Sequence, residues 1–129
     1  RRGGRRYRCR SPTSRTRENV KRISSKRAKA CAIPKAVKDR VWERDNHCCV
    51  YCKSIYAFPE AHYIPRSRGG LGIEENVLTL CRLCHDAFDN GTATMRQEIG
   101  HYCRDYLKAH YRCWDEKNLI YRKDDPRWQ

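Results

Sequence analysis

Two Cys-x-x-Cys turns constrain the fold of this chain more than any other feature of its sequence. They are Cys49-Val-Tyr-Cys52 and Cys81-Arg-Leu-Cys84, and about 28 residues separate them. Each turn brings two thiolates within reach of one ion, and two such turns complete a tetrahedral Cys₄ zinc site. The alternatives are a pair of disulfides or free cysteines that bind no metal. Cys48 is a possible substitute ligand, although Cys49 gives the commoner spacing.

A metal site of this kind suits the composition of the chain. The chain has 129 residues, enough for one domain, and only 39% of them are hydrophobic while 34% are charged. A small domain with so little apolar surface usually needs a disulfide or a metal. A reducing compartment favours metal-bound thiolates. A closed Cys₄ site has no open position for substrate, so the function must lie elsewhere in the chain.

The positive charge is concentrated in an N-terminal arm, residues 1–30. This segment holds 13 of the 29 Lys and Arg residues and only one of the 15 acids, Glu18. Such an asymmetry predicts a disordered basic arm that meets a polyanion. The alternative is a terminal extension with no dedicated role. The remainder, residues 31–129, is expected to form the folded domain.

Hydrophobic spacing predicts an α+β domain. Residues 33–45 carry Val37 and Val41 at helical spacing, with Pro34 suited to the first turn. Tyr63-Ile64 and residues 77–80 predict short strands around a glycine-bearing loop, with a brief helix after Cys84. A last helix is expected from about residue 93. The pair Thr94 and Gln97 has the spacing of its capping box, and a polar tail to residue 129 follows it.

Four polar residues are interlaced with the cysteine turns: His62, Asn76, His85 and Asp89. A histidine alone in a polar loop is more often a surface residue than a base. The order His, Asn, His around two metal-binding turns favours a functional site. The basic, glycine-bearing loop after His62 strengthens that interpretation.

These stretches resemble the HNH nuclease motif. The resemblance rests on Glu60-Ala-His-Tyr-Ile-Pro-Arg-Ser-Arg-Gly-Gly70 and on Glu75-Asn-Val-Leu-Thr-Leu-Cys-Arg-Leu-Cys-His85. The lead-in Pro34-Lys-Ala-Val-Lys-Asp-Arg-Val-Trp-Glu-Arg-Asp45 is similar too, so that residues 33–90 are covered. The last helix and residues 114–123 are similar to small phage-associated or bacterial HNH proteins. The resemblance implies a zinc-stapled ββα-metal fold with flanking helices.

The resemblance also implies a role for each polar residue. His62 would be the general base that takes a proton from the attacking water, and a neutral imidazole suits that task. Asn76 would fix His62 or its loop by hydrogen bonds. His85 would ligate a catalytic divalent ion from the helix, and Asp89, one turn later, would be a second ligand. Mg²⁺, Mn²⁺, Ni²⁺ and Zn²⁺ all suit such a mixed shell.

One position departs from the family pattern. The residue before the base usually carries an Asp or His that also ligates the ion, and here it is Ala61. Glu60 could substitute only through a bulge or turn, because successive strand residues face opposite sides. Arg66 and Arg68 are expected to contact phosphates, the alternative being solvated loop charges. Arg44 and Arg82 are weaker candidates for that role.

The predicted function is hydrolysis of DNA phosphodiester bonds by an HNH endonuclease with a structural zinc and a catalytic divalent ion. The alternatives are a zinc-stapled DNA-binding module that has lost its activity, or an accessory nuclease of a phage DNA-packaging complex. No apolar run approaches the ~18 residues needed to cross a bilayer, and no secretory signal is expected. The expected location is the cytoplasm of a bacterial or phage-infected cell. The oligomeric state is not readable.

Overall fold

The computed structural model describes residues 24–128, which form a small α+β fold as the sequence predicted. A two-stranded antiparallel sheet lies among four helices, and no helix in this range is long and apolar enough to cross a membrane. The elements are α1 (Lys26–Cys31), α2 (Lys35–Arg44), β1 (Ala57–His62), β2 (Val77–Cys81), α3 (Arg82–Asn90) and α4 (Ala93–His110), with short 3₁₀ turns at Arg66–Arg68, Glu116–Leu119 and Pro126–Trp128.

The sheet forms the centre of the fold. All five residues of β2 are buried, which confirms the strand expected over residues 77–80. The other strand lies earlier than predicted, because β1 ends at His62 and Tyr63-Ile64 follow it. A register shift separates the pairs Phe58–Leu80 and Ala61–Leu78, so β1 contains a β-bulge between Phe58 and Ala61.

Helices α2 and α4 pack on this centre through the faces that their spacing predicted. Val37 and Val41 are buried in α2, while α4 buries Ile99, Cys103 and Leu107. The predicted capping box of α4 is wrong. The residue that caps it is Thr92, whose hydroxyl accepts a hydrogen bond from the Met95 amide at 3.3 Å, and Thr94 already lies within the helix.

The folded part of the chain begins before residue 31. Residues 26–30 belong to α1, which Ser25 caps and which buries Ala30 and Cys31. The prediction of disorder over residues 1–30 is therefore wrong for this segment; residues 1–23 lie outside the described residues. The amide of Gly72 donates to the Ala30 carbonyl at 3.0 Å. A helix of six residues that is held by a distant loop leaves no periodic pattern in the sequence.

The C-terminal tail is bound to the loop that follows His62. Ile120 forms a bridge with Gly70, and the Leu71 amide donates to the Leu119 carbonyl at 2.8 Å. Leu119 is buried. A side chain at Gly70 would overlap the Ile64 backbone, since a Cβ there would lie 1.7 Å from the carbonyl oxygen. The tail and the glycine therefore fix the shape of this loop together.

A buried ion pair joins α2 to β2 and α4. Arg44 donates to both carboxylate oxygens of Asp45, at 2.8 and 3.1 Å, and to the Val77 carbonyl. The same carboxylate accepts from the Thr79 amide at 2.9 Å and from the Tyr106 hydroxyl at 2.8 Å. Arg44 is thus fully engaged inside the fold. Its interpretation as a phosphate contact is wrong.

We expect Asp45→Ala to destabilise the fold by about 3–5 kcal/mol, because removal of one partner leaves the other charge buried and unpaired. Arg40→Ala breaks the exposed Arg40–Glu74 pair and is the control, with an expected cost of about 0–1 kcal/mol. Urea unfolding of the zinc-loaded protein measures both. Equal urea midpoints for the two variants would show that the buried pair contributes no more to stability than the exposed pair.

Candidate functional site

The four cysteines of the two Cys-x-x-Cys turns converge. Their sulfur atoms all lie within 4.8 Å of one another, and the Cys52 and Cys81 sulfurs are 3.4 Å apart. Cys49 and Cys52 lie in the loop between α2 and β1, whereas Cys81 ends β2 and Cys84 lies in the first turn of α3. The cluster can therefore hold a metal ion, and its donor set and size suit structural zinc.

Local backbone geometry prepares each turn for this role. The Cys52 amide donates to the Cys49 sulfur at 3.5 Å, and the Cys84 amide donates to the Cys81 sulfur at 3.4 Å. Burial opposes ionisation of Cys49, yet backbone N–H donors lower its pKa to about 7. Burial and the neighbouring thiols raise the pKa of Cys84 instead. A bound cation would stabilise all four thiolates.

A cleft of about 490 Å³ lies apart from the cysteines, at the end of β1. It brings together four of the residues that the sequence singled out: His62, Arg66, His85 and Asp89. Residues of the α1–α2 connection and of α2 complete its wall. The full lining is Ala32, Ile33, Lys38, Glu60, His62, Pro65, Arg66, His85 and Asp89.

In the part of the chain that the structure describes, one hydrogen bond holds the His62 side chain in this cleft. Its Nε2 lies 2.9 Å from the backbone carbonyl oxygen of Cys31. A carbonyl oxygen only accepts, so Nε2 carries a proton and Nδ1 of the neutral ring is left as the acceptor. Burial lowers the pKa of His62 from its ordinary value and outweighs the hydrogen bond to the Cys31 carbonyl, which raises it; the positive charge of Arg66 acts in the same direction as burial. Burial thus favours the neutral form of the ring.

His85 and Asp89 form a pair on α3. One helical turn separates them, and the distance from His85 Nε2 to Asp89 Oδ2 is 3.2 Å. Both side chains are partly exposed to the cleft. They present one nitrogen and one carboxylate side by side. Within residues 24–128, only the four cysteines form a set of three or more metal-binding side chains so close together.

One acid of β1 reaches the cleft. Ala61 is buried in the core. Glu60, two positions before His62, lines the same cleft, and a register shift lies between Phe58 and Ala61. The Glu60 carboxylate pairs with Lys38 of α2 at 3.2 Å. The cleft thus contains an acid close to where the family pattern would place one, although at the preceding position.

Asn76 lies outside the cleft and is fully buried. Its amide oxygen accepts from the Ile64 amide at 2.8 Å, and its nitrogen donates to the carbonyls of Ile64 and Leu71 at 3.2 and 2.8 Å. These bonds tie both ends of the loop after His62 to the residue before β2. Asn76 therefore positions that loop, and its side-chain hydrogen bonds go to Ile64 and Leu71, which are not cleft residues.

Arg66 and Arg68 lie in the 3₁₀ turn of the same loop and are exposed. Arg66 lines the cleft, whereas Arg68 lines a neighbouring groove. In the described range, neither guanidinium has a hydrogen-bond or ion-pair partner. The loop itself is held by Arg27, whose guanidinium donates to the Ser67 carbonyl at 3.1 Å. Both arginines are therefore free to bind an anion.

Sequence reasoning missed two contributors to the cleft. The Cys31 carbonyl, which fixes the ring of His62, is a backbone group 31 positions away and leaves no residue signature. Lys38 is one of many lysines, and only the folded position of α2 brings it to Glu60. No local spacing rule connects either group with His62.

No protein-family model, none of the curated proteins and no solved structure matches this chain.

Proposed function

We propose that this protein is a metal-dependent HNH-type endonuclease that hydrolyses DNA phosphodiester bonds. The observation that carries the proposal is the state of His62. Its Nε2 is engaged by the Cys31 carbonyl, its Nδ1 has no hydrogen-bond partner among residues 24–128, and its burial favours the neutral form. A neutral, oriented imidazole in a polar cleft is what a general base requires.

The proposed reaction assigns tasks to polar residues of the cleft and to Asn76 behind it. His62 Nδ1 takes a proton from the water that attacks the phosphorus atom. Arg66 binds a nonbridging oxygen of the scissile phosphate, for which its planar charged fork is suited. Lys38 pairs with Glu60 and fixes the position of its carboxylate in the cleft. Asn76 keeps the Arg66 loop in place through its bonds to Ile64 and Leu71.

His85 and Asp89 are the residues that would hold a catalytic ion. An imidazole nitrogen and a carboxylate oxygen 3.2 Å apart fit a divalent cation whose remaining positions are filled by water. Mg²⁺, Mn²⁺, Ni²⁺ and Zn²⁺ remain candidates. A bound ion supplies stabilisation of the negative charge that develops on the phosphate and on the leaving oxygen.

DNA is proposed as the substrate on two grounds. The resemblance to HNH nucleases names it, and the charge of the chain is consistent with it. Residues 1–23 contain ten Lys and Arg against one acid, and the net charge of the whole chain is +14. Neutralisation of phosphates by such groups supplies affinity that does not depend on base sequence. The enzyme would act in the cytoplasm of a bacterial or phage-infected cell, alone or within a DNA-packaging complex.

A DNA-binding module without catalysis is the second candidate. It is favoured because few side chains at the cleft can bind a metal ion. His85 and Asp89 form a close pair, and the buried Ala61 supplies no ligand. A plasmid cleavage assay separates the two functions. The zinc-loaded protein is desalted and tested with Mg²⁺, Mn²⁺ or Ni²⁺ and without added metal, because a strong chelator would also remove structural zinc.

Metal-dependent conversion of supercoiled plasmid to nicked or linear product would support the nuclease. Tight, salt-sensitive DNA binding without cleavage under any metal would favour the binding module. The ratio of nicked to linear product also shows whether one strand or both are cut.

Two truncations distinguish the role of residues 1–23 from that of α1, whose last residue contacts His62. Deletion of residues 1–23 should weaken DNA binding and flatten its salt dependence, with the slope of log K against log salt smaller by about 0.9 for each phosphate that the arm neutralises. Cleavage chemistry should persist. Deletion of residues 1–31 also removes the Cys31 carbonyl and should lower turnover at saturating DNA by about 10²-fold or more. Equal turnover by both truncations would show that α1 does not orient His62.

A further inference from the structure

A second groove continues from the His62 cleft towards α4, and we name it the flanking groove. It shares Pro65 and Asp89 with the cleft, so the two form one path on the surface. Its volume of about 830 Å³ falls within the range of roughly 300–1,000 Å³ that ligand sites occupy. Polar side chains from two elements line it: Ser67 and Arg68 from the loop after His62, and Arg96 and Gln97 from α4.

The flanking groove carries unpaired positive charge. Neither Arg68 nor Arg96 has a side-chain hydrogen bond or ion pair with any residue from 24 to 128, and both are exposed. Asp89, at the junction with the cleft, is engaged by His85. The first turn of α4 contains no acid, and Ala93 at its start also lines the groove. The positive end of the helix dipole therefore adds to the two arginines.

We propose that the flanking groove binds the sugar-phosphate backbone of the DNA strand next to the bond that is cut. Arg68 and Arg96 each contact a phosphate. This proposal rests on the proposed nuclease function, since it is the shared wall at Pro65 and Asp89 that makes one strand continuous from cleft to groove. Contacts to phosphates position the strand and carry no base specificity.

Three features favour a nucleic-acid strand over another anion. The two arginines come from separate elements and line an extended path, which suits a chain of repeated charges. The path leads directly to His62 and Arg66, where a phosphodiester is proposed to react. Arg presents a planar fork that matches phosphate oxygens in two parallel bonds. A single small anion would use only one of these positions.

The test compares a full substrate with a minimal one. An oligonucleotide duplex spans cleft and groove, whereas thymidine 5′-(p-nitrophenyl phosphate) reaches the cleft alone. For Arg96→Ala, we expect the ratio of kcat/KM for the duplex to kcat/KM for the ester to fall about tenfold, as removal of one charge-assisted hydrogen bond implies. Arg112→Ala removes the same charge from an exposed position outside the groove and should leave the ratio unchanged.

Duplex binding without added divalent ion gives a second readout that needs no catalysis. In Arg96→Ala, the slope of log K against log salt should become smaller by about 1, and Arg112→Ala should keep the wild-type slope. If the wild-type protein cleaved neither substrate, the nuclease proposal would be rejected, and the salt slope would still test whether the flanking groove binds DNA. An unchanged ratio and an unchanged slope in Arg96→Ala would reject the proposal that the flanking groove binds the DNA backbone.

Discussion

Replacement of Cys84 by serine is expected to unfold the domain and to release its metal. Four sulfur atoms within 4.8 Å of one another can serve as the donors of one closed metal site, and serine is a poor zinc ligand. Metal binding to such a site is coupled to folding, with apparent free energies of about 10–16 kcal/mol in small zinc domains. A fold with so modest a core cannot offset that loss.

Two measurements check this expectation. Elemental analysis should find one zinc per wild-type chain and none in Cys84→Ser, and the thermal unfolding transition should disappear in the variant. Cys48→Ser is the matched control, because Cys48 adjoins Cys49 of the cluster but its own thiol donates to the Asp45 carbonyl. Loss of zinc from Cys48→Ser would mean that the metal site uses the neighbouring cysteine.

Replacement of His62 by alanine is expected to lower cleavage by about 10²–10⁴-fold, the usual contribution of a general base. The fold and the zinc content should persist, because within residues 24–128 His62 makes a single side-chain hydrogen bond and it lies at the end of β1. DNA affinity should persist as well, since the basic arm and the loop arginines remain. Single-turnover cleavage of a labelled duplex measures the chemical step directly.

The matched control is His47→Ala. His47 is an exposed histidine that pairs with Glu43 at 2.9 Å, outside the cleft, and its loss should leave cleavage unchanged. Cleavage by His62→Ala at the wild-type rate would reject His62 as the base. A lost activity accompanied by lost zinc would instead assign His62 a structural role.

The pH dependence of cleavage follows from the same residue. Burial lowers the pKa of His62 below its ordinary value of 6.5, so the base is already neutral at pH 7. The rate should therefore be level around pH 7 and fall as pH drops through that lowered pKa, because protonation removes the acceptor at Nδ1. A rising limb centred above pH 7 would contradict this assignment.

The orientation of His62 has a consequence for the basic arm. The basic N-terminal region is followed by α1, and the carbonyl of Cys31, the last residue of α1, accepts a hydrogen bond from His62. Arg27 of α1 also donates to the loop that bears Arg66. The proposed affinity for DNA and the orientation of the proposed base would thus depend on adjoining segments of one chain, and the two truncations separate them.

The sequence by itself determined the class of fold and the metal-binding cluster. Both depend on local rules: a Cys-x-x-Cys turn aims two sulfurs at one point, and apolar residues at helical spacing, such as Val37 and Val41, fix which face of α2 is buried. The helical pair His85 and Asp89 was predictable for the same reason.

Tertiary structure alone decided the details of the cleft. The carbonyl that orients His62 and the lysine that pairs with Glu60 are both distant in sequence from the residues they hold. Away from the cleft, the burial of Arg44 also depends on distant partners, the Val77 carbonyl and the Tyr111 hydroxyl. The first helix and the Thr92 cap were not predicted, because a six-residue helix and a single hydroxyl leave little pattern in the sequence. Backbone groups look the same at every position, so only packing decides which of them meets a functional side chain.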